Sequence, residues 1–288
     1  MDLIKDVVSN ASSYQRLEGV EGKSGNKLLG TLVGLVAKMP RHACYLEVGT
    51  YRGLSLINVA KNNPDKASFG IDNFSQFNSD GSNKNAVYAA MALYDVSATL
   101  IDKDFEEALL NFDRKVGVYF VDGPHDYRSQ YLCLDFGRRS MITGGVIVID
   151  DANYEHVRRA NNDWLRANQD WTLLYEHYTY KHPVNMTKEH YEDAVRGWWN
   201  GVNILIHDPD KSLPRNLPPV SHDRDRYFND HLIHASRYAE LMGSIAELIG
   251  RSDMVTLNKV FQGKLQFDHQ RFQDRSATLS MHFEKSGL

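Results

Sequence analysis

The stretch Ala43-Cys44-Tyr45-Leu46-Glu47-Val48-Gly49-Thr50-Tyr51-Arg52-Gly53-Leu54-Ser55 limits the fold more than any other part of the chain. It reads as a short buried strand, a glycine turn and the start of a helix. Gly49 and Gly53 let a ligand lie against backbone N–H groups at a helix N-terminus, and Glu47 at the strand end offers an acceptor beside that loop. A nucleotide-like ligand fits such a turn.

Spacing narrows the ligand. A dinucleotide site needs G-x-G-x-x-G, with its second glycine where the pyrophosphate presses on the backbone. Here Thr50-Tyr51-Arg52 fills the turn as E-x-G-x-x-x-G, and a bulky tyrosine opposes a pyrophosphate. The motif resembles the first motif of the class I S-adenosylmethionine (SAM) methyltransferases. That resemblance implies a Rossmann-like α/β fold, a doubly wound, mostly parallel seven-stranded sheet. It places SAM along Glu47, Gly49, Thr50, Tyr51, Gly53 and Ser55.

The rest of the chain fits this frame. Asn26 to Lys38 has apolar residues at helical spacing and is expected to pack on the sheet ahead of the first strand. Before it, Gly19 to Gly25 reads as a plain linker or, as the family implies, a loop over the cofactor, which makes Gly22 a candidate contact. Leu54 to Lys61 is the first crossover helix, and strand two, Ala67 to Asp72, closes on an acid that can accept both ribose hydroxyls of a nucleoside. Asn83 to Leu93 is helical and strand three is Ser97 to Ile101. Beyond it, Asp104 and Phe105 match the family's adenine-contacting positions, while Asp104 equally suits the N-cap of a helix over Glu106 to Leu110.

Val116 to Val121 is a continuous apolar run, expected of a parallel strand covered on both faces, and Ser129 to Arg139 is a helix. The turn Thr143-Gly144-Gly145 leads into strand five, Val146 to Ile149, and a helix over Tyr154 to Asn168. Trp171 to Tyr180 and Gly201 to His207 supply two last strands, read as an antiparallel pair. An insertion over Lys181 to Asn200, rich in His182, His190, Tyr191, Trp198 and Trp199, suits either a substrate lid or local packing. Leu213 to Pro219 reads as a stiff linker. Tyr227 to Ile249 reads as an amphipathic helix packing on the sheet domain or a second subunit, and His231 and His234, one turn apart on it, suit a shared ligand or, more simply, a solvated or core-edge pair. The expected organisation is a domain over 1–210 and a helical extension over 211–288 that offers a route to a homo-oligomer.

A formal net charge of −4 with unbunched basic residues argues against nucleic acid as the main partner. Two cysteines without a C-x-x-C pair, Cys44 ahead of the first strand and Cys133 in a helix, suit a reducing compartment. The apolar run Leu28 to Met39 is too short to span a bilayer. A cytoplasmic protein without membrane contact is the expectation.

Asp122, Asp150 and Asp151 fall at the ends of neighbouring strands. Two carboxylates about 4 Å apart repel by roughly 4 kcal/mol at an effective dielectric near 20, so a cluster needs a cation or a shared proton. Oxygen ligands favour magnesium, manganese or calcium; the competing reading makes one of the Asp150–Asp151 pair a helix cap. His125, three residues past Asp122, is a credible proton acceptor near neutral pH.

The segments D-G-x-H-x-Y and G-G-V-I-V-I-D-D resemble the metal-dependent macrocin and mycinamicin sugar O-methyltransferases over Gly19 to Asp151. The resemblance implies Asp122, Asp150 and Asp151 as ligands of a divalent cation, with Asp122 also beside the cofactor. It makes His125 the base and a small-molecule hydroxyl the methyl acceptor. A related subset uses an aspartate where this chain has Pro124, so the base role rests on His125. A metal-independent methyltransferase, an NAD-dependent oxidoreductase and a non-catalytic SAM-binding module are the rival readings.

Overall fold

The computed structural model describes residues 2–78, 80–179 and 187–219, together with 250, 251, 253, 255 and 256. The chain divides into two compact units, one of Met1–Thr179 with Met186–Ser221 and one of Tyr180–Asn185 with His222–Leu288. The sheet and the candidate site belong to the first unit. The expected helix over Tyr227 to Ile249, with His231 and His234, and His182 of the insertion lie outside the described residues.

In chain order the elements are α1 (Asp2–Asn10), α2 (Asn26–Lys38), β1 (Cys44–Val48), α3 (Leu54–Asn62), β2 (Ser68–Ile71), α4 (Asn83–Tyr94), β3 (Thr99–Ile101) and α5 (Phe105–Leu110). They continue with β4 (Val116–Val121), α6 (Tyr127–Gly137), β5 (Met141–Ile149), α7 (Glu155–Ala167), β6 (Trp171–His177), α8 (Lys188–Arg196) and β7 (Val202–His207). The strands form one seven-stranded sheet in the order β3-β2-β1-β4-β5-β7-β6. The first five are parallel, and β7 runs antiparallel to both β5 and β6. This is a Rossmann-like methyltransferase fold. Of these seven strands only β7 is reversed: β6 runs antiparallel to its neighbour β7 and so in the sense of the first five strands, not as half of a reversed pair.

β1 and β4 are buried along their whole length because helices cover both faces of the sheet. Alternate residues divide between two cores. Leu46, Val48, Tyr119, Val121, Ile147 and Ile149 pack towards α5, α6 and α7. Tyr45, Val118, Phe120 and Val148 face the other side, with Leu28, Leu32 and Val36 of α2. The chain runs outward from β1 through β2 to β3 and then crosses back to β4 on the other side of β1, so the crevice beyond the carboxyl ends of β1 and β4 is where such a sheet takes a ligand.

Three local expectations change. Cys44 opens β1 instead of preceding it. β5 starts at Met141 and absorbs Thr143 to Gly145 as a bulge: the register against β4 shifts between Val116 and Val118, with Gly144 at φ 72°. Leu213 to Pro219 is also no free linker. It lies along β6, where Leu173 N donates to Asn216 O (3.2 Å) and Thr172 Oγ1 to Pro214 O (3.0 Å), and it is also held from α7, where Asn162 Nδ2 donates to Pro218 O (2.9 Å). This strap covers a sheet edge that would otherwise present unpaired backbone groups.

The described part of the insertion holds α8, capped by Thr187. Gly197 O, just past α8, accepts from Lys27 N at 3.1 Å, and a Cβ on Gly25 would lie 2.1 Å from that oxygen. Trp198 is buried against Tyr175, ring centroids 5.4 Å apart, so this aromatic residue serves packing.

Candidate active site

The glycine turn is built by backbone geometry. Gly49 and Gly53 both have φ 92°, and a Cβ on Gly49 would fall 1.8 Å from Asp122 O, so the loops after β1 and β4 touch. Tyr51, at φ 50°, donates its N–H to Asp72 Oδ2 at 2.7 Å, and Phe74 N donates to Asp72 Oδ1 at 2.7 Å. Asp72 thus fixes the turn from the end of β2. Burial raises its pKa and these two backbone donors lower it. Each oxygen retains a lone pair for a ribose hydroxyl.

Glu47 lies beneath this loop and not beside it. It is fully buried, receives the Tyr45 hydroxyl at 2.6 Å on Oε2, and faces Ser55 and Thr50. Burial pushes its pKa up to about 7 against the lowering effect of those hydroxyls. Ser55 and Thr50 are themselves buried, so the turn meets a ligand through its backbone, while Tyr51 remains partly exposed.

The loop before α2 packs onto the turn. A Cβ on Gly22 would lie 2.4 Å from Leu54 Cβ, and Glu21 pairs with Arg52 at 3.0 Å. Lys23 Nζ sits 4.0 Å over the Phe77 ring and 5.8 Å from that of Tyr51. This segment is therefore not a plain linker. At β3's end, Asp104 caps α5, its Oδ1 accepting from Glu106 N at 2.9 Å, and Phe105 is buried in the core with Ile71. Asp104 therefore serves as the cap of α5, and Phe105 packs in the core.

Beyond β4 and β5, Asp122, His125 and Asp151 each place one donor atom so that all three lie within 4.8 Å of one another. His125 Nε2 is 2.6 Å from Asp151 Oδ2 and 3.9 Å from Asp122 Oδ1. Asp122 keeps 24 % of its side-chain surface open, the widest access of the three. Its carboxyl is held well above the usual range by burial, then by Asp150 and Asp151. Asp150 stands behind this group: it is buried, and its Oδ1 accepts from Asp151 N at 2.8 Å. Burial and Asp151 raise its pKa as well. The structure therefore gathers Asp122 and Asp151 with His125, while Asp150 supports the Asp151 backbone.

Several residues around this cluster carry no local sequence signal. Asn200, ahead of β7, donates from Nδ2 to Asp151 Oδ1 at 2.7 Å. The Tyr154 ring lies 5.8 Å from that of His125 and 5.2 Å from that of His156. Burial, then the charge of His125, pulls His156 down to about 4. Lys23, its pKa lowered by burial, feels Asp151 and Asp122 as counter-charges.

Residues 46–152 match the family model described as a methyltransferase domain. No curated protein matches the chain significantly. Solved structures similar to it include cofactor-bound Rv0187 from MTB, at 13 % identity, 72 % of this chain, 90 % of that chain and TM-score 0.49. The O-methyltransferase TomG from Streptomyces achromogenes, in complex with SAM, is 16 % identical over 72 % of this chain and 90 % of its own, with TM-score 0.47. An O-methyltransferase from Bacillus cereus in complex with SAH is 11 % identical over 72 % and 91 %, with TM-score 0.45. Over residues 46–152 the chain is thus similar to a methyltransferase domain, and its sheet has the Rossmann-like strand order. The matched segment holds the glycine turn, Asp72, Asp122, His125, Asp150 and Asp151. Among the described residues no helix is long and apolar enough to cross a membrane.

Proposed function

We propose that this domain methylates a hydroxyl oxygen of a small polyhydroxylated acceptor, a sugar or related natural product, with a divalent cation, magnesium by its donor chemistry. The convergence of Asp122, His125 and Asp151 within 4.8 Å carries this reading. The two carboxylates offer oxygen ligands to a single divalent ion with the imidazole beside them, and raised carboxyl pKa values are what a cation would relieve. When bound, a divalent cation would supply Lewis acidity at the acceptor, and SAM would supply an electrophilic methyl group.

The chain's own part is alignment and proton removal. Tyr51 and the backbone of Gly49 to Gly53 orient the donor molecule, and Asp72 receives the ribose hydroxyls. Asp122 and Asp151 hold the ion, with Asp150 fixing the backbone beneath Asp151. His125 Nε2, which faces both carboxylates, takes the acceptor hydroxyl's proton, and the imidazolium so formed has Asp151 and Asp122 as counter-charges. Holding acceptor and methyl in line provides most of the acceleration. One observation favours a second reading: the 2.6 Å contact between His125 and Asp151 also suits a base pair that works without a cation.

The test is release of S-adenosylhomocysteine (SAH) from SAM across sugar, polyol, catechol and amine acceptors, with magnesium or with EDTA. Turnover on a vicinal diol that EDTA abolishes is expected. Turnover indifferent to EDTA would establish the metal-free reading, and transfer only to nitrogen acceptors would overturn both.

A further inference from the structure

We infer that Asn200 is a positioning residue for the acidic centre, fixing the plane of the Asp151 carboxylate for its cation; this rests on the metal-dependent reading of the site. Asn200 is fully buried in the short turn between α8 and β7, flanked by Trp199 at φ 59° and Gly201 at φ 86°. Its Nδ2 donates to Asp151 Oδ1 at 2.7 Å, while the other oxygen of Asp151 faces His125 at 2.6 Å. Both oxygens of the carboxylate are thereby oriented.

The backbone of the same turn holds the loop that carries Asp151. Asn153 N donates to Asn200 O at 3.0 Å and Ala152 N to Gly201 O at 3.3 Å. A Cβ on Gly201 would lie 2.7 Å from Asn153 Oδ1, so the two segments are in direct contact. Asp151 itself sits at φ 54°, a conformation that an unsupported aspartate adopts at some cost. The turn after α8 thus makes the loop after β5 rigid.

The choice of an amide has a chemical consequence. A lysine or arginine at this position would orient Asp151 and neutralise it, competing with a cation. An asparagine donates a hydrogen bond that turns the Asp151 carboxylate without bringing a charge that competes with a cation. Groups that orient ligands in this way set metal affinity without touching the ion.

The test uses Mn2+ as probe, titrated by electron paramagnetic resonance into full-length wild-type protein, Asn200→Ala and Asn200→Ser, with SAH affinity measured on each. Serine is too short to reach Asp151 Oδ1 but leaves a smaller void, so it serves if the alanine variant does not fold. Both substitutions are expected to weaken Mn2+ at least tenfold and leave SAH affinity within twofold. Mn2+ affinity within twofold of wild type in a folded variant overturns the role of Asn200 alone. Parallel loss of SAH and Mn2+ overturns it too, by showing a general structural role. Wild-type protein that takes up no Mn2+ removes the metal-dependent reading and this inference with it.

Discussion

His125 Nε2 lies 2.6 Å from Asp151 Oδ2, although the two residues leave different strands, β4 and β5. His125 stands on the loop after β4 while the cofactor turn follows β1, so its removal separates binding from chemistry. His125→Ala should keep SAH affinity within about twofold by calorimetry while turnover falls about a hundred- to ten-thousand-fold. Unchanged turnover would end its role as base.

Asp122 and Asp151 place carboxylate oxygens beside His125, whereas Asp150 turns an oxygen to Asp151 N. Asp122→Asn and Asp151→Asn should each raise the magnesium concentration for half-maximal turnover more than about tenfold. Asp150→Asn should shift it less and lower thermal stability instead, because it disturbs the acceptor for Asp151 N. An equal magnesium shift in all three variants would place Asp150 among the ligands.

Glu47 gives a pH dependence with a definite sign. Its folded pKa, about 7, lies above the ordinary value of 4.5, so its stabilising contribution is complete below pH 4.5 and is lost as pH rises through 7. Asp122 and Asp150 are shifted the same way. Stability should therefore decline from about pH 5 to 8 in denaturant titrations, and Glu47→Gln should remove about 3 kcal/mol of that decline. A decline identical to wild type would show that Glu47 is not the group responsible.

Gly49→Ala places a methyl 1.8 Å from the Asp122 carbonyl at a φ of 92°. A loss of about 3 kcal/mol or more in stability is expected from the strain and the displaced loop, together with loss of SAH binding. A folded, SAH-binding alanine variant would contradict the close approach of the β1 and β4 loops.

What the sequence makes legible depends on the range of the interactions. α2 and β4 are legible to the residue because their signals are local: leucines and valines at helical spacing, and a run of apolar residues. The acids at strand ends are legible for the same reason, since a parallel strand must finish at the ligand-bearing rim. Asp104 carries two local readings, and the contact with Glu106 N shows the capping one. The strap over Leu213 to Pro219 and the docking of Gly197 on Lys27 depend on contacts between distant segments, which periodicity cannot express. Asn200 belongs with these: nothing next to it in the chain points to Asp151.

Asp72 braces the turn through Tyr51 N, so cofactor choice reports directly on the glycine turn and the acid that holds it. The direct measurement is calorimetric titration of SAM, SAH and NAD into the protein, with and without magnesium, alongside Asp72→Ala. SAM and SAH are expected to bind and NAD is not, and Asp72→Ala is expected to weaken SAH at least about tenfold. Tight binding of NAD with no heat from SAM or SAH would contradict a SAM-dependent methyltransferase.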